Sequence, residues 1–166
     1  QTCALPISLD KLKKTYEQDI QEKNIRIIFD NLTLSLMMEV NVEQFSKVLA
    51  GILKNSMYAL LKKSETVTFS PEIFLGLKVN KDMLEITIRD NGSGIDENIK
   101  DKIFAPFFTT KTTGEAAGVG LYLCREIVQN HRGTIEVESK KGEYTQFLIT
   151  IPVYQPKTIT PPKEEE

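Results

Sequence analysis

The chain has 166 residues, of which 40% are apolar and 27% are charged, the composition of an ordinary globular domain with its own core. The net charge of −2 gives no basic field that would attract nucleic acid or an anionic membrane surface, so no nucleic-acid partner is expected. No apolar run approaches the roughly 20 residues needed to cross a bilayer. The 2 cysteines do not make a disulfide framework. We therefore expect a soluble domain in a reducing compartment, the cytoplasm.

The two ends of the chain differ from the rest. Residues 1–7 resemble the in-frame translation of a widely used DNA-sequencing adapter, although a natural leader of unusual composition is the alternative. They lack the basic start and long apolar centre of a signal peptide. We expect the natural domain to cover residues 8–153 of a longer protein. Residues 154–166, rich in proline and ending in glutamates, are predicted to be a disordered acidic tail.

The first elements are a helix and two strands. Apolar residues at helical spacing predict a helix from Leu9 to Lys23, with Ser8 as its N-cap. Residues 25–29 and 34–40 are predicted to be strands, with a turn at Asp30 and Asn31. We expect these two strands to form a hairpin at one side of a sheet.

A long amphipathic helix is predicted from Asn41 to Lys63, because apolar residues recur at three- and four-residue steps. Asn55 lies at the edge of its apolar stripe. An amide there can direct a carbonyl oxygen into a cleft, and Mg²⁺ prefers such hard oxygen ligands together with water and phosphate. The alternative is a border asparagine that bonds to a neighbouring loop.

A second hairpin, residues 72–79 and 83–89, ends in a carboxylate followed by two glycines. Asp90 can accept a hydrogen bond from the exocyclic amino group of adenine, whereas guanine has an acceptor oxygen at the matching position. Gly92 and Gly94 would let the backbone approach a ligand, because neither has a Cβ. The alternative is a strand followed by an Asx turn.

A short helix is predicted at residues 96–102, followed by three phenylalanines around a proline in residues 103–111. The phenylalanines are expected to form a compact apolar anchor. Thr110 and Lys111 then supply a hydroxyl and a cation, and residues 114–117 are small. This combination suits a hinged lid over a phosphate tail; the alternative is a hydrophobic turn beneath a flexible loop.

Gly118, Val119 and Gly120 lead into a helix that begins near Leu121. Glycines before a helix present free backbone N–H groups at the positive end of its dipole, which favours an anion site. His131 ends this helix, and at such a position it is expected to be a structural residue.

A last hairpin is predicted at residues 134–138 and 146–151, where apolar and polar residues alternate. The order of elements indicates an α+β fold. We expect a two-layer α/β sandwich, with helices on one face of a mixed, mostly antiparallel sheet.

Four stretches, in this order, resemble the ATP-binding catalytic domain of bacterial sensor histidine kinases, a branch of the superfamily that includes gyrase, the ninety-kilodalton heat-shock chaperone and the mismatch-repair ATPases. Residues 52–59 resemble its asparagine box, 90–95 its first glycine box, 103–111 its phenylalanine box and 118–121 its second glycine box. The resemblance covers roughly residues 8–153 and implies the histidine-kinase-like ATPase fold.

The resemblance implies that Asn55 binds Mg²⁺ and that Asp90 reads adenine. The ATP-binding residues that it implies are Asn55, Asp90, Gly92, Gly94, Ile95, Thr110, Lys111, Gly118, Val119, Gly120 and Leu121. The γ-phosphate would go to a histidine on a separate, upstream dimerisation domain of the same parent protein. The parent is expected to be a homodimer with a response regulator receiver domain as partner, and whether it is membrane-anchored stays open. His131 lacks the acidic neighbour and Pro-Leu context of the family's acceptor.

Three residues depart from the family pattern. Gly51 stands where the family often has a second asparagine, and Ala116 and Ala117 replace a usual glycine and threonine. We expect weaker clamping of the phosphates, since Ala116 restricts the backbone and Ala117 has no hydroxyl. Two alternatives stay open: a serine/threonine kinase of the anti-sigma type, and a catalytically degenerate nucleotide-binding interaction module.

Overall fold

The computed structural model describes residues 2–4, 14–18, 20–30, 37–110 and 120–153, and residues 14–18 and 20–22 are helical. The strands are β1 (Thr2–Ala4), β2 (Arg26–Asp30), β3 (Met37–Glu39), β4 (Glu72–Asn80), β5 (Met83–Asp90), β6 (Thr134–Lys140) and β7 (Tyr144–Pro152). The helices that follow in the chain are α1 (Val42–Ser64), α2 (Glu97–Lys100) and α3 (Gly120–Asn130).

Helix α1 forms where the apolar spacing predicts it. Its N-cap is Asn41, whose side-chain oxygen accepts a hydrogen bond from the Gln44 N–H at 3.0 Å. Glu43 in the first turn and Lys62 and Lys63 in the last turn complement the helix dipole. The helix buries a continuous apolar face, consisting of Phe45, Val48, Leu49, Ile52, Leu53, Met57 and Leu60.

The main sheet has five strands in the order β2-β4-β5-β7-β6. Strand β2 pairs with β4 in parallel, and the other neighbours are antiparallel. A parallel pair needs a crossover connection, and α1 lies between β2 and β4 in the chain. The sheet is therefore mixed and mostly antiparallel, and the predicted α+β class is confirmed.

The predicted hairpin of residues 25–29 and 34–40 is wrong. Strand β2 pairs with β4, while β3 pairs with β1 in a separate two-stranded sheet. Strand β2 takes a distant partner because the α1 crossover brings β4 beside it, and no local pattern reports that. Asn31 of the predicted turn and Ser8 of the predicted first helix lie outside the described residues, as does the tail 154–166.

The core lies between the sheet and the helices. Leu84, Ile86 and Ile88 alternate along β5 and are fully buried. They face α1, and their cross-strand partners on β7 are likewise buried apolar residues. Complete burial of one such side chain contributes roughly 1.5–3 kcal/mol. Asp90 follows Ile88 by two residues, so it continues this buried row at the end of the strand.

Helices α1 and α3 pack against each other, and α3 also contacts β6. Helix α3 is thereby held against α1 and β6. Within the ranges that the structure describes, no helix is both long and apolar enough to cross a membrane.

Candidate functional site

A cavity of about 550 Å³ opens between α1, the segment after β5, the start of α3 and the β6–β7 turn. Its volume suits a small organic ligand, since such pockets run from roughly 300 to 1,000 Å³. The predicted site residues that line it are Asn55, Asp90, Gly94, Ile95, Thr110, Gly120 and Leu121. The fold therefore brings together residues that are far apart in the chain.

Asp90 is a buried carboxylate in the wall of this cavity, with only 2% of its surface exposed. Burial raises the pKa of Asp90 to about 6. The pKa is lowered in part by a hydrogen bond from the Gly92 N–H at 3.0 Å, by the nearby Ser56 hydroxyl and by the charge of Lys63. The Ser56 hydroxyl itself has no partner at hydrogen-bonding geometry among the described residues. At neutral pH the Asp90 side chain is mostly an ionised acceptor.

The two glycines after Asp90 are required by the packing of the protein itself. A Cβ on Gly92 would come within 2.7 Å of the Ala59 backbone. Gly94 has a φ of +64°, and a Cβ there would overlap the carbonyl oxygen of Lys140. The glycines were predicted to allow approach of a ligand; the structure supplies an internal reason for them as well.

The loop from Asn91 to Asp96 is tied to α1 and to the β6–β7 turn. The Ser93 N–H donates to the Ala59 carbonyl at 3.1 Å, and the Gly142 N–H donates to the Ser93 carbonyl at 2.7 Å. The Ile95 N–H donates to the Ser139 hydroxyl at 2.8 Å. Three hydrogen bonds thus hold this wall of the cavity in place.

The Asx turn that was the alternative explanation of this stretch is also present, because Asp90 Oδ1 accepts from the N–H of Gly92, two residues further on. Asn91 makes different bonds. The Asn91 side-chain oxygen accepts from the Glu72 N–H at 2.8 Å, and its amide nitrogen donates to the Ser70 carbonyl at 2.9 Å. The Asn91 backbone carbonyl accepts from Lys63 Nζ at 2.8 Å. Asn91 therefore ties the loop to α1 and to the segment before β4, while Asp90 both makes the Asx turn and lines the cavity.

Asn55 lies on α1 in the cavity wall and is half-buried. Within the part of the chain that the structure describes, its amide makes no hydrogen bond to a neighbouring loop, which was the alternative role considered for it. Tyr58, Ala59 and Lys62 also line the cavity. They follow Asn55 by three, four and seven residues, the spacing of one helix face.

Of the three phenylalanines in residues 103–111, only two form the predicted apolar anchor. Phe104 is buried and meets the Phe147 ring edge-on with centroids 6.3 Å apart, and Phe108 packs partly buried against the core. Phe107, however, is 79% exposed. Its φ of +62° turns the chain after Pro106, a backbone conformation that is uncommon for a bulky residue. The prediction that all three rings form one cluster is therefore wrong for Phe107.

The structure describes only part of the phosphate-binding end of the cavity that the sequence predicts. Thr110, Gly120 and Leu121 line the cavity, and a Cβ added at Gly120 would meet no atom within 4 Å. Lys111, Gly118, Val119 and residues 112–117, which include the predicted lid and its two alanines, lie outside the described residues. Their assignments stay predictions.

His131 is held by both ring nitrogens. Its Nε2 accepts a hydrogen bond from the Asn41 N–H at 2.9 Å, and Nδ1 lies 2.7 Å from the Ile127 carbonyl oxygen. Because Nε2 accepts, the proton is on Nδ1 and is donated to Ile127. His131 thus links the end of α3 to the N-cap of α1, which agrees with the structural role predicted for it.

Several cavity residues were not predicted from the sequence. Lys54, Tyr58 and Lys62 of α1 line the cavity. Helical spacing from Asn55 could have found Tyr58 and Lys62. Lys141, which pairs with Asp96 at 2.6 Å at the cavity mouth, could not be found that way, because its partner is 45 positions earlier.

The family model that matches residues 41–155 is that of the histidine kinase-, DNA gyrase B- and HSP90-like ATPases. The chain belongs to this family, which implies that it binds a nucleotide. The match begins at the N-cap of α1 and includes β4 to β7, the elements that build the cavity. The predicted family is therefore confirmed.

Two relatives and one solved structure illustrate the likeness. The chain is 34% identical over 149 residues to cyanobacterial phytochrome A of Nostoc sp., covering 88% of this chain and 18% of that protein. It is 33% identical over 149 residues to the sensor histidine kinase AtsR of Burkholderia thailandensis, covering 84% of this chain and 24% of that protein. The nucleotide-free catalytic domain of histidine kinase ThkA superposes with a TM-score of 0.77 at 27% identity, covering 92% of this chain and 94% of that one.

Proposed function

We propose that the chain is the ATP-binding catalytic domain of a sensor histidine kinase, which binds Mg-ATP and donates its γ-phosphate to a histidine on a separate dimerisation domain of the same parent protein. The observation that carries this proposal is Asp90, a buried carboxylate in the wall of a nucleotide-sized cavity. The likeness to sensor histidine kinases supports the choice of this branch of the family.

Adenine selection follows from the charge of Asp90. An ionised carboxylate accepts the hydrogen bond that the adenine amino group donates, and it repels the carbonyl oxygen that guanine has at the equivalent position. Because Asp90 is almost fully desolvated, an unmatched base denies this buried charge the hydrogen bond that adenine would donate, which is costly. Gly94 and Ile95 line the adjacent wall, and Gly92, which does not line the cavity, donates its N–H to Asp90.

The residues present fit a magnesium ion bound together with a nucleotide. Among the described residues no group of three or more His, Cys, Asp or Glu side chains could hold a metal by itself. Mg²⁺ bound through nucleotide phosphates needs only one or two protein oxygens and keeps water. Asn55 provides such an oxygen in the cavity wall. Bound there, the ion would neutralise phosphate charge.

The phosphate chain is expected at the start of α3. Thr110, Gly120 and Leu121 line that end of the cavity, and the free N–H groups of an 11-residue helix favour an anion. Lys111, Gly118 and Val119 are proposed to complete it. Catalysis would consist of positioning and electrostatic stabilisation, which is what phosphoryl transfer requires of a protein.

The acceptor is proposed to lie elsewhere in the parent protein, a homodimer, with a response regulator receiver domain as the next partner. His131 is the single histidine of the chain, and both of its ring nitrogens are engaged. The degenerate interaction module remains a second candidate, favoured by Gly51, which lines the cavity where the family often has asparagine.

The test is incubation with labelled Mg-ATP and the histidine-containing dimerisation domain of the parent protein. The proposal predicts label that is lost in acid, as phosphohistidine is. Acid-stable label on a protein partner would support the anti-sigma-type kinase instead. Nucleotide binding without any transfer would support the interaction module.

A further inference from the structure

The peptide group between Asn91 and Gly92 lies between a cation and a carboxylate. Its carbonyl oxygen accepts a hydrogen bond from Lys63 Nζ at 2.8 Å, and its N–H donates to Asp90 Oδ1 at 3.0 Å. A peptide dipole is negative at the oxygen and positive at the N–H, so both contacts favour the same orientation of this peptide.

We propose that Lys63 is a positioning residue of the nucleotide site, which acts through the Asn91–Gly92 peptide to keep the Asp90 carboxylate charged and correctly oriented for adenine. This inference rests on the proposed function, in which Asp90 reads the base. Lys63 is not among the residues that line the cavity, so it reaches the ligand only through Asp90.

The surroundings of Asp90 explain why it needs such support. Helix α1 presents Ser56 and Lys63 to it, its own loop presents the Gly92 N–H, and the cross-strand neighbours are Ile73 on β4 and Thr145 on β7. Among the described residues, Lys63 supplies the charge that lowers the Asp90 pKa, against the larger effect of burial. Without Lys63, the groups that lower the Asp90 pKa would be the Gly92 N–H and the Ser56 hydroxyl, which are both neutral.

Lys63 is itself held in place. Its ammonium lies over the Phe69 ring, 4.7 Å from the centroid, in addition to its bond to Asn91. A positive charge in the last turn of α1 would complement the helix dipole, but Lys62 already supplies one there. The dipole therefore does not explain why Lys63 contacts both Asn91 and Phe69.

The loop has attachments besides the one to Lys63. Both polar atoms of the Asn91 side chain are bonded to the segment that leads into β4, through Glu72 and Ser70. Replacement of Lys63 is therefore expected to change the orientation of one peptide and the charge near Asp90 while the loop stays folded.

The experiment compares Lys63→Met, Lys63→Arg and the control Lys47→Met, which removes the same charge from an exposed position of α1. The Asp90 carboxyl is titrated by carbon-13 NMR in the nucleotide-free protein, with Asp90→Asn to assign its signal. ATP affinity is then measured from mildly acidic to mildly alkaline pH.

Lys63→Met is expected to raise the titration midpoint of Asp90 by about half a pH unit or more. It should weaken ATP binding roughly twofold to fivefold at about pH 6, with a smaller loss at about pH 8, where the carboxylate is ionised in both proteins. Lys63→Arg should restore both values because it keeps the charge and a donor, and Lys47→Met should change neither.

An unmoved Asp90 midpoint in Lys63→Met, or an affinity loss that is the same at every pH, would overturn the inference while leaving the proposed function standing. If the unaltered chain binds no ATP, the proposed function fails. The Asp90 titration then decides by itself whether Lys63 acts on the carboxylate, since it needs no nucleotide.

Discussion

Ser139 of β6 accepts a hydrogen bond from the backbone N–H of Ile95 at 2.8 Å and donates one to the Tyr144 carbonyl at 2.7 Å. One hydroxyl thereby joins the loop after Asp90 to the hairpin of β6 and β7. The cavity wall is thus held by a residue 44 positions from the loop that it supports.

Replacement of Ser139 tests this connection. Ser139→Ala leaves the Ile95 N–H without its acceptor and is expected to lower the free energy of unfolding by about 1–2 kcal/mol. Nucleotide affinity should fall as well, because the loop that carries Gly94 and Ile95 is released on one side. Urea denaturation and nucleotide titration measure the two effects. Ser139→Thr, which keeps the hydroxyl, is the matched control, and equal losses in both variants would contradict the account.

Gly142 and Gly94 both have a positive φ, but a Cβ would collide with a neighbour only at Gly94. Comparing the two alanine variants therefore distinguishes the cost of backbone strain from the cost of a steric clash. Gly142 has a φ of +80° and open space where a Cβ would be, whereas a Cβ on Gly94 would overlap the Lys140 carbonyl. Gly142→Ala should therefore cost only the left-handed conformation, about 1–2 kcal/mol. Gly94→Ala should cost that amount and roughly 1–3 kcal/mol more. Denaturation of the two variants provides the comparison; equal stabilities would show that the loop moves away from Lys140 freely.

His131 is expected to affect stability but not nucleotide binding. His131→Ala removes the acceptor for the Asn41 N–H and should destabilise the protein by about 0.5–1.5 kcal/mol. His131 does not line the cavity, so ATP affinity should be unchanged. Thermal or urea denaturation together with ATP titration checks both statements. A loss of affinity without a loss of stability would point to a direct role for His131.

The buried charge of Asp90 should make the protein less stable as the pH rises. The pKa is about 6 in the folded protein and 3.8 in the reference state, so the folded form holds the proton more tightly. This contribution is full below about pH 4 and is lost as the pH rises to about 6. A difference of about two pKa units corresponds to roughly 3 kcal/mol.

Asp90→Asn removes this titration. Its stability relative to the unaltered protein should increase from about pH 4 to about pH 6 and stay higher at neutral pH, by an amount of the order of 1–3 kcal/mol. Urea denaturation across that range measures the difference. A constant difference at every pH would contradict the raised pKa.

The local elements of this fold are predictable from sequence, and their long-range pairing is less so. Helix α1, the β4–β5 hairpin and the β6–β7 hairpin follow from periodicity and turn residues, and Asp90 follows because it ends a clear alternating strand. The pairing of β2 with β4 escaped prediction because it depends on a crossover between distant segments.

The same limit applies to the site. Asn55 and Asp90 carry their own local signal, an amide at the edge of an apolar stripe and a carboxylate before two glycines. Lys63, Ser139 and Lys141 carry none, since each acts on a residue that is 28 to 45 positions away. Phe107 was misassigned because composition suggests a cluster of rings, whereas the backbone turn at that residue directs the third ring outward.

The central claim is that Asp90 reads adenine in a magnesium-dependent nucleotide site. The most direct measurement is a titration of the chain with ATP and with GTP, each with and without Mg²⁺, for the unaltered protein and for Asp90→Asn. The account predicts magnesium-dependent ATP binding that excludes GTP and is abolished in Asp90→Asn, although that variant is the more stable protein. Equal affinity for ATP and GTP, or unchanged ATP affinity in Asp90→Asn, would contradict it.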